Sequence, residues 1–411
     1  MIGLGETQRL VLTPSGRPIQ GHRSWFAYSV RLVASVLFAL LSGCGAAPSQ
    51  VVSSPESGAQ PIRVEPIVVS PEQVHSVSEL DAAAMKALEL GHPEVAALLF
   101  ERILEADPGG NHSLSAAFNA GLARDEMGAL PKALDHFVSV ADRWPNSRMA
   151  RSALRRAMRL ASALERWRLD RVLATRFLQR YQRIRPFEAV LVQGSLAMGE
   201  LAAGQDELAE RAVEVARTVI EDQGLDVPGE ISRDLAQVYF ANGEVQRTRA
   251  ERIRFVPIPA HFSGKLEERC ALILGAQASY FEAMRAHDAH WSSMAGYRIG
   301  ELYARLYEDL VAMPAPAGAS PEQVMLFEGA LRLRYSILVR KALAMLSHTT
   351  TMAERTRVHS EWIMRAVAVE QYLQGQLAEE DRVLAKLPYS RQMLKDALLR
   401  LQSGNPSSEY R

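Results

Sequence analysis

Two histidines three residues apart, in His287-Asp-Ala-His290, are spaced so that both imidazoles could share one helical face and a metal ion. No third ligand stands at a recognisable spacing, and the segment reads as a turn between Arg285 and Trp291, so the pair is assigned to capping and loop packing. Carboxylate runs such as Glu267-Glu268 and Glu379-Glu380-Asp381 could supply acid and base, but they sit as solvated helix faces do. The sequence has no Gly-rich phosphate loop, no Gly-x-Ser-x-Gly elbow and no His-Glu-x-x-His zinc helix. It is therefore expected to be no enzyme and to use no metal or cofactor. Cys270, in Leu266-Glu-Glu-Arg-Cys-Ala-Leu-Ile-Leu, has the helical setting of a buried structural thiol. Cys44 is the thiol whose neighbours point to chemistry.

Acidic and basic residues balance at 47 each over 411 residues, and the hydrophobic share is 48%. The core is thus ample, and no global charge argues for nucleic acid, which is not expected as a partner. The run Arg31-Leu-Val-Ala-Ser-Val-Leu-Phe-Ala-Leu-Leu-Ser-Gly-Cys44 sets a basic residue before a short apolar stretch that ends in an aliphatic residue, two small residues and cysteine. Its apolar part is about half the ~20 residues of a membrane span. The run resembles a bacterial lipoprotein signal. That resemblance implies diacylglycerol on Cys44, cleavage before it, residues 1–43 as signal peptide (with a true start near Val30) and residues 44–76 as a lipidated, Pro- and Ser-containing flexible tether. Gly45 rather than aspartate after the cysteine implies sorting to the outer membrane, on its periplasmic face. With Cys44 acylated, Cys270 would have no cysteine to pair with.

Beyond residue 76 the chain repeats. Gly91-His-Pro-Glu-Val-Ala96-Ala-Leu-Leu-Phe100-Glu-Arg-Ile-Leu-Glu-Ala-Asp-Pro108 places glycine, alanine, aromatic and proline at offsets that return in Gly128-Ala-Leu-Pro-Lys-Ala133-Leu-Asp-His-Phe137-Val-Ser-Val-Ala-Asp-Arg-Trp-Pro145. Gly121 stands seven residues before Gly128. The pattern resembles the tetratricopeptide repeat, a helix-turn-helix unit that buries its apolar face only by stacking into a superhelix. In that reading Ala96, Gly121 and Ala133 lie where helices cross, Phe100 and Phe137 fill the space beside them, Gly128 makes the turn, and Pro108 and Pro145 close the units. Fainter copies run through Ala197, Gly204, Ala209, Val213 and Ala216, then Leu235, Ala236, Tyr239 and Gly243. Ala276, Tyr280 and Ala283 have the look of a second repeat helix, and Ile299-Gly300-Glu-Leu-Tyr303 of a first one.

The fold class expected is all-α, a superhelix of helical pairs after the signal and tether. Arg254-Phe-Val-Pro257-Ile-Pro259-Ala-His-Phe-Ser-Gly264 cannot continue a helix, and so separates an N-terminal array, 77–252, from a C-terminal helical domain, 265–402, with 403–411 a frayed tail. Ser320-Pro321 is a cap and first-turn pair. Ser347-His-Thr-Thr-Thr351 and Leu387-Pro388 read as turns.

The repeat resemblance also implies a concave groove formed by first helices, its lining falling on Asp81, Met85 and Leu88, then on Phe118, Asn119, Leu122 and Asp125. This mixture is apolar and acidic. It matches the family's carboxylate clamp only at Asn119, so an acidic C-terminal peptide is disfavoured as ligand. Arginine recurs at Arg148, Arg151, Arg155, Arg156, Arg159 and Arg166 and on to Arg185, opposed within that span only by Glu165 and Asp170. Such a strip serves either as a solubilising face paired with acidic neighbours or as a contact for an acidic partner, phosphorylated lipid heads or the anionic cell wall.

The expected function is a non-enzymatic, lipid-anchored scaffold or adaptor that supports assembly or integrity of a cell-envelope complex. Its partners would be other envelope proteins through the repeat surfaces, the membrane through the lipid anchor, and the cell wall. The segment Trp291 to Leu310 is similar to repeat lipoproteins of myxobacterial gliding-motility machineries. Lipoproteins that assist outer-membrane protein insertion or pilus secretin assembly are the near alternatives, and a cell-wall-binding or hydrolytic envelope enzyme is the alternative of another class.

Overall fold

The computed structural model describes residues 76–227, 232–390, 392–394 and 396. Cys44, the signal-like run, the tether to residue 75 and the tail 403–411 lie outside the described residues. Those described form thirteen helices and no strand: α1 Val77–Glu89, α2 Pro93–Ala106, α3 Ser113–Glu126, α4 Leu130–Arg143, α5 Arg148–Ala163, α6 Trp167–Arg180, α7 Pro186–Ala202, α8 Asp206–Gln223, α9 Arg233–Arg252, α10 Phe262–Met284, α11 Ala289–Val311, α12 Pro321–Thr356 and α13 Glu361–Lys386. Each helix packs on the next along the chain, and α7 also packs on α9 and α11 on α13. The fold is an all-α solenoid of stacked helical pairs.

Local sequence explains where the helices start. Ser76 caps α1 reciprocally with Glu79: its hydroxyl accepts from Glu79 N at 3.3 Å, while Glu79 Oε2 accepts from Ser76 N at 2.8 Å. Ser320 and Gln323 repeat the device at α12, where Pro321 takes the first position, which needs no donor. The turn inside each early pair requires a left-handed residue. Gly91, Gly128 and Gly204 supply it with φ of 74°, 72° and 71°, and Glu165 takes the same conformation at φ 54° between α5 and α6. That residue conceals a third repeat unit, α5–α6, behind a non-glycine turn.

Packing follows the small residues. Ala96, Phe100, Ala133 and Phe137 are fully buried. A Cβ on Gly121 would lie 2.9 Å from the Phe137 ring, so α3 and α4 reach their crossing distance only with glycine there. Pro145 is half-buried, and Pro108 is exposed with its carbonyl accepting from Arg143. In the fainter copies Ala197, Ala209, Val213, Ala216, Leu235, Ala236, Ala276, Tyr280, Ala283, Ile299 and Tyr303 are buried, as their repeat positions require.

The connection after α9 holds a cis Val256–Pro257 bond and is shorter than expected, helix resuming at Phe262 ahead of Gly264 once the prolines are passed, and α9 and α10 pack against one another across it. One expected turn is absent. Residues 347–351 are interior to α12, a single 36-residue helix. The hydroxyls of Thr349 and Thr350 bond back to the Met345 and Ser347 carbonyls at 2.9 and 3.1 Å, which lets a polar run remain helical.

Candidate functional site

First helices of successive units stand side by side at the start of the array, joined by side chains about one repeat apart. His112 Nδ1 lies 3.1 Å from Asp81 Oδ2, Asn119 Nδ2 donates to Met85 Sδ at 3.6 Å, and Arg156 reaches Asp125 at 3.7 Å. Between them is a solvent-open depression of 560 Å³ lined by Leu88, Leu122, Asp125, Glu126 and Arg156. Three of the expected groove residues thus meet at one place, with one arginine of the strip as its far wall. Met85 is 42% exposed on the same α1 face. Phe118 is drawn toward the core, packing edge-on against Phe137 at 5.4 Å, and does not line the depression.

The floor beneath is held by charge. Arg124, itself buried, makes two bonds to Glu101 at 2.8 and 2.6 Å, and His136 Nε2 lies 3.1 Å from the same carboxylate. Those bonds, Arg124's foremost, hold the Glu101 carboxyl below the usual carboxylate range although burial opposes them. The α2, α3 and α4 helices are thereby fixed to one another under the groove.

The arginine strip finds its partners outside its own span. Arg151 makes two bonds to buried Glu188 on α7 at 3.0 and 2.5 Å, and Arg155 lies 3.5 Å from the same group. Burial pulls the Glu188 carboxyl up, but bonds from Arg151 and from Arg185 N keep it below its usual range. Arg159 grips Asp234 on α9 at 2.9 and 2.6 Å. Arg148 and Arg166 are exposed. Glu188 and Asp234 lie 37 and 75 residues from their arginines, too far along the chain for i to i+4 reasoning to find them.

On α9 a carboxylate gathers several partners inside the fold. Glu244, buried on α9, accepts from Tyr280 Oη at 2.5 Å and from Arg247 twice at 3.1 and 2.9 Å, and Arg298 Nε stands 3.1 Å away. Burial raises its pKa, but the charges of Arg298 and Arg247 win and hold it low. Arg269, also buried, donates to Ile253 O at 3.0 Å and Asp309 at 2.6 Å. Cys270, beside it, is half-buried, its thiol pushed up to about 11 by burial. Asp288 caps α11 through His290 N and Trp291 N, each at 3.1 Å, which is the structural use of the His287–His290 segment. Among the described residues no group of three histidine, cysteine or carboxylate side chains could hold a metal ion, and no helix is long and apolar enough to cross a membrane.

The first turns of α9, α11 and α13 converge on the α5–α6 corner. Asp234 meets Arg159, Trp291 lies 6.3 Å from Trp167, and Trp362 Nε1 donates to Glu165 at 2.5 Å across 197 residues of chain.

No protein-family model and no curated protein matches the chain. Among solved structures it is similar to a tetratricopeptide repeat protein from Parabacteroides merdae, with 12% identity and a TM-score of 0.36 over 71% of this chain and 98% of that one. It is similar also to a TPR repeats protein from Bacteroides fragilis, with 13% identity and a TM-score of 0.27 over 76% and 99%.

Proposed function

We propose that this protein is a non-enzymatic scaffold whose α1–α3–α5 face docks an extended segment of another protein. The observation that carries the reading is the open depression between Leu88, Leu122, Asp125, Glu126 and Arg156. Its two leucines would take an apolar side chain, and its carboxylates would favour a basic neighbour over an acidic one. Fixed from below by the Arg124–Glu101 pair, the face would need little ordering on binding. With Cys44 lipidated, the scaffold would work at the periplasmic face of the outer membrane and help to hold an envelope complex together. A motility machine, a pilus secretin and an outer-membrane insertion complex are the assemblies such a protein would serve.

A crosslinked pull-down of the tagged protein from whole membranes, read by mass spectrometry, tests this. A defined set of envelope proteins should be recovered and lost with Leu122→Arg, and labelled fatty acid should be incorporated into the parent but not into Cys44→Ala. Recovery that is indifferent to Leu122→Arg would sink the groove reading, and a parent that takes up no label would sink the anchor.

A further inference from the structure

Several arginines that reach no carboxylate lie at one edge of the array. Second helices end and first helices begin there, so the connections 144–147 and 181–185 lie beside each other. Arg180, at the end of α6, donates to Asn146 at 3.0 Å, and Arg151 donates to the Arg183 carbonyl at 2.8 Å. These bonds bring Arg180, Arg183 and Arg185 next to Arg148, which opens α5. Arg143, one connection earlier, bonds to the Pro108 carbonyl and stacks 4.5 Å over Trp144. Two carboxylates of this neighbourhood are already taken up, buried Glu188 by Arg151 and Arg155 and exposed Asp142 by Arg176. Arg148, Arg183 and Arg185 are exposed, and none of the three makes an ion pair among the described residues. Among them Phe187, the second residue of α7, leaves 51% of its surface in water.

Guanidinium groups match phosphate oxygens in planar, two-bond geometry. An aromatic ring beside them favours the boundary between headgroups and acyl chains. Connection tips aligned along an edge can all touch a flat surface, as residues inside a concave groove cannot. We infer that this edge, Arg148, Arg183, Arg185 and Phe187 with Arg143 and Arg180 as flanks, docks the array on a membrane rich in anionic phospholipid. The contact is separate from the groove and from any acyl anchor at Cys44, and would set the orientation of the array against the bilayer.

The test uses the mature chain from Gly45, which carries neither the apolar run of residues 32–41 nor an acyl chain, and sedimentation with two kinds of vesicle, phosphatidylcholine alone and phosphatidylcholine mixed with phosphatidylglycerol. The protein should partition to the anionic vesicles, less so as salt rises. Arg148→Gln, Arg183→Gln and Arg185→Gln should each lower partition about five-fold. Phe187→Ser should weaken it without changing the salt dependence, and Arg166→Gln, on exposed Arg166, should leave it unchanged. All five side chains are exposed or half in water, so circular dichroism should report an intact fold in every variant. Equal partition to both vesicle types, or arginine variants that bind as the parent does, would overturn the inference. Loss of binding to immobilised polyglutamate in the arginine variants, with vesicle partition unchanged, would overturn it in favour of an acidic protein partner.

Discussion

The first two helical pairs and the last five helices solve the same problem, burying one face of each helix, by opposite means. In α1–α4 the helices are of 13 or 14 residues, the crossings are alanine or glycine on phenylalanine, and the turns are left-handed glycines. Their principal ion pair, Arg124–Glu101, is only part-buried, and their first-helix face stays open. In α9–α13 the helices run from 20 to 36 residues. Glycine there clears room for large side chains, Gly243 under Tyr280 and Gly300 under Leu346. Charge is buried in the Glu244 cluster, and the first turns fold inward onto α5–α6. Units close to the repeat pattern leave their first-helix face open to solvent. Units that depart from it turn their first turns onto the α5–α6 corner.

Removing one charge should hurt the second region as much as removing a ring hurts the first. Glu244→Ala would leave Arg247, Arg298 and Tyr280 facing one another without their acceptor. It should cost about 3–5 kcal/mol, comparable to the ~3–5 kcal/mol for truncating buried Phe137 to alanine. Urea unfolding with hydrogen exchange distinguishes the regions: amides of α9–α11 should open first in Glu244→Ala, and those of α3 and α4 should open first in Phe137→Ala. Uniform loss of protection in both variants would mean that the two regions are one cooperative block.

A smaller effect probes the seam between them. Asp170 on α6 is fully buried, with Oδ2 accepting from Ser162 Oγ at 2.6 Å and from Gln237 of α9 at 3.2 Å. Burial pushes its carboxyl from 3.8 up to about 7. A proton on Oδ1 would give that otherwise unpartnered oxygen a role as donor toward buried Ser195. Between pH about 4 and about 7 the folded chain therefore keeps a proton that the unfolded chain has released, so this group's contribution to stability falls as pH rises through that window. Asp170→Asn should flatten part of the slope. Glu380 on α13, raised by burial to about 7, contributes a slope of the same sign, and the double variant with Glu380→Gln should flatten it further. Midpoints of urea unfolding against pH measure this, and a slope unchanged in Asp170→Asn would refute the assignment.

The sequence disclosed the first region far better than the second. Ala96, Phe100, Gly121, Ala133 and Phe137 carry the repeat at fixed offsets because each meets a neighbour within one unit, where chain spacing and spatial spacing agree. The partners of Arg151 and Arg159, and the convergence of Asp234, Trp291 and Trp362 on one corner, depend on how the array curves, which no local pattern encodes. Leu88, Leu122 and Asp125, which share the first-helix face in the repeat pattern, do line one depression, while Glu126 and Arg156, which complete it, carry no such signal. The Ser347–Thr351 run misleads for a different reason: its residue types favour turns, but hydroxyls bonded back to the helix satisfy the same preference without breaking it.

The third repeat was hidden by one residue, and that residue tests the comparison at its finest grain. Glu165 holds φ 54° where the flanking units use glycine, a conformation that costs a residue with a Cβ about 1–2 kcal/mol. Against that cost stands the bond from Trp362 Nε1 at 2.5 Å, whose indole is buried between Tyr297, Arg298 and Arg365. A hydrogen bond to a charged group is worth about 1.5–3 kcal/mol, so Glu165→Gly should come out near neutral, relief of strain offsetting loss of the bond. Gly128→Ala, at φ 72° with open space around the new Cβ and no long-range bond to lose, should cost about 1 kcal/mol by strain alone. In a Trp362→Phe background the offset disappears, and Glu165→Gly should then stabilise by about the full strain. Thermal midpoints of the parent, Glu165→Gly, Trp362→Phe and the double variant decide the matter. If Glu165→Gly shifts stability equally with and without the indole, the turn of the third unit has no part in holding α13 to the middle of the array.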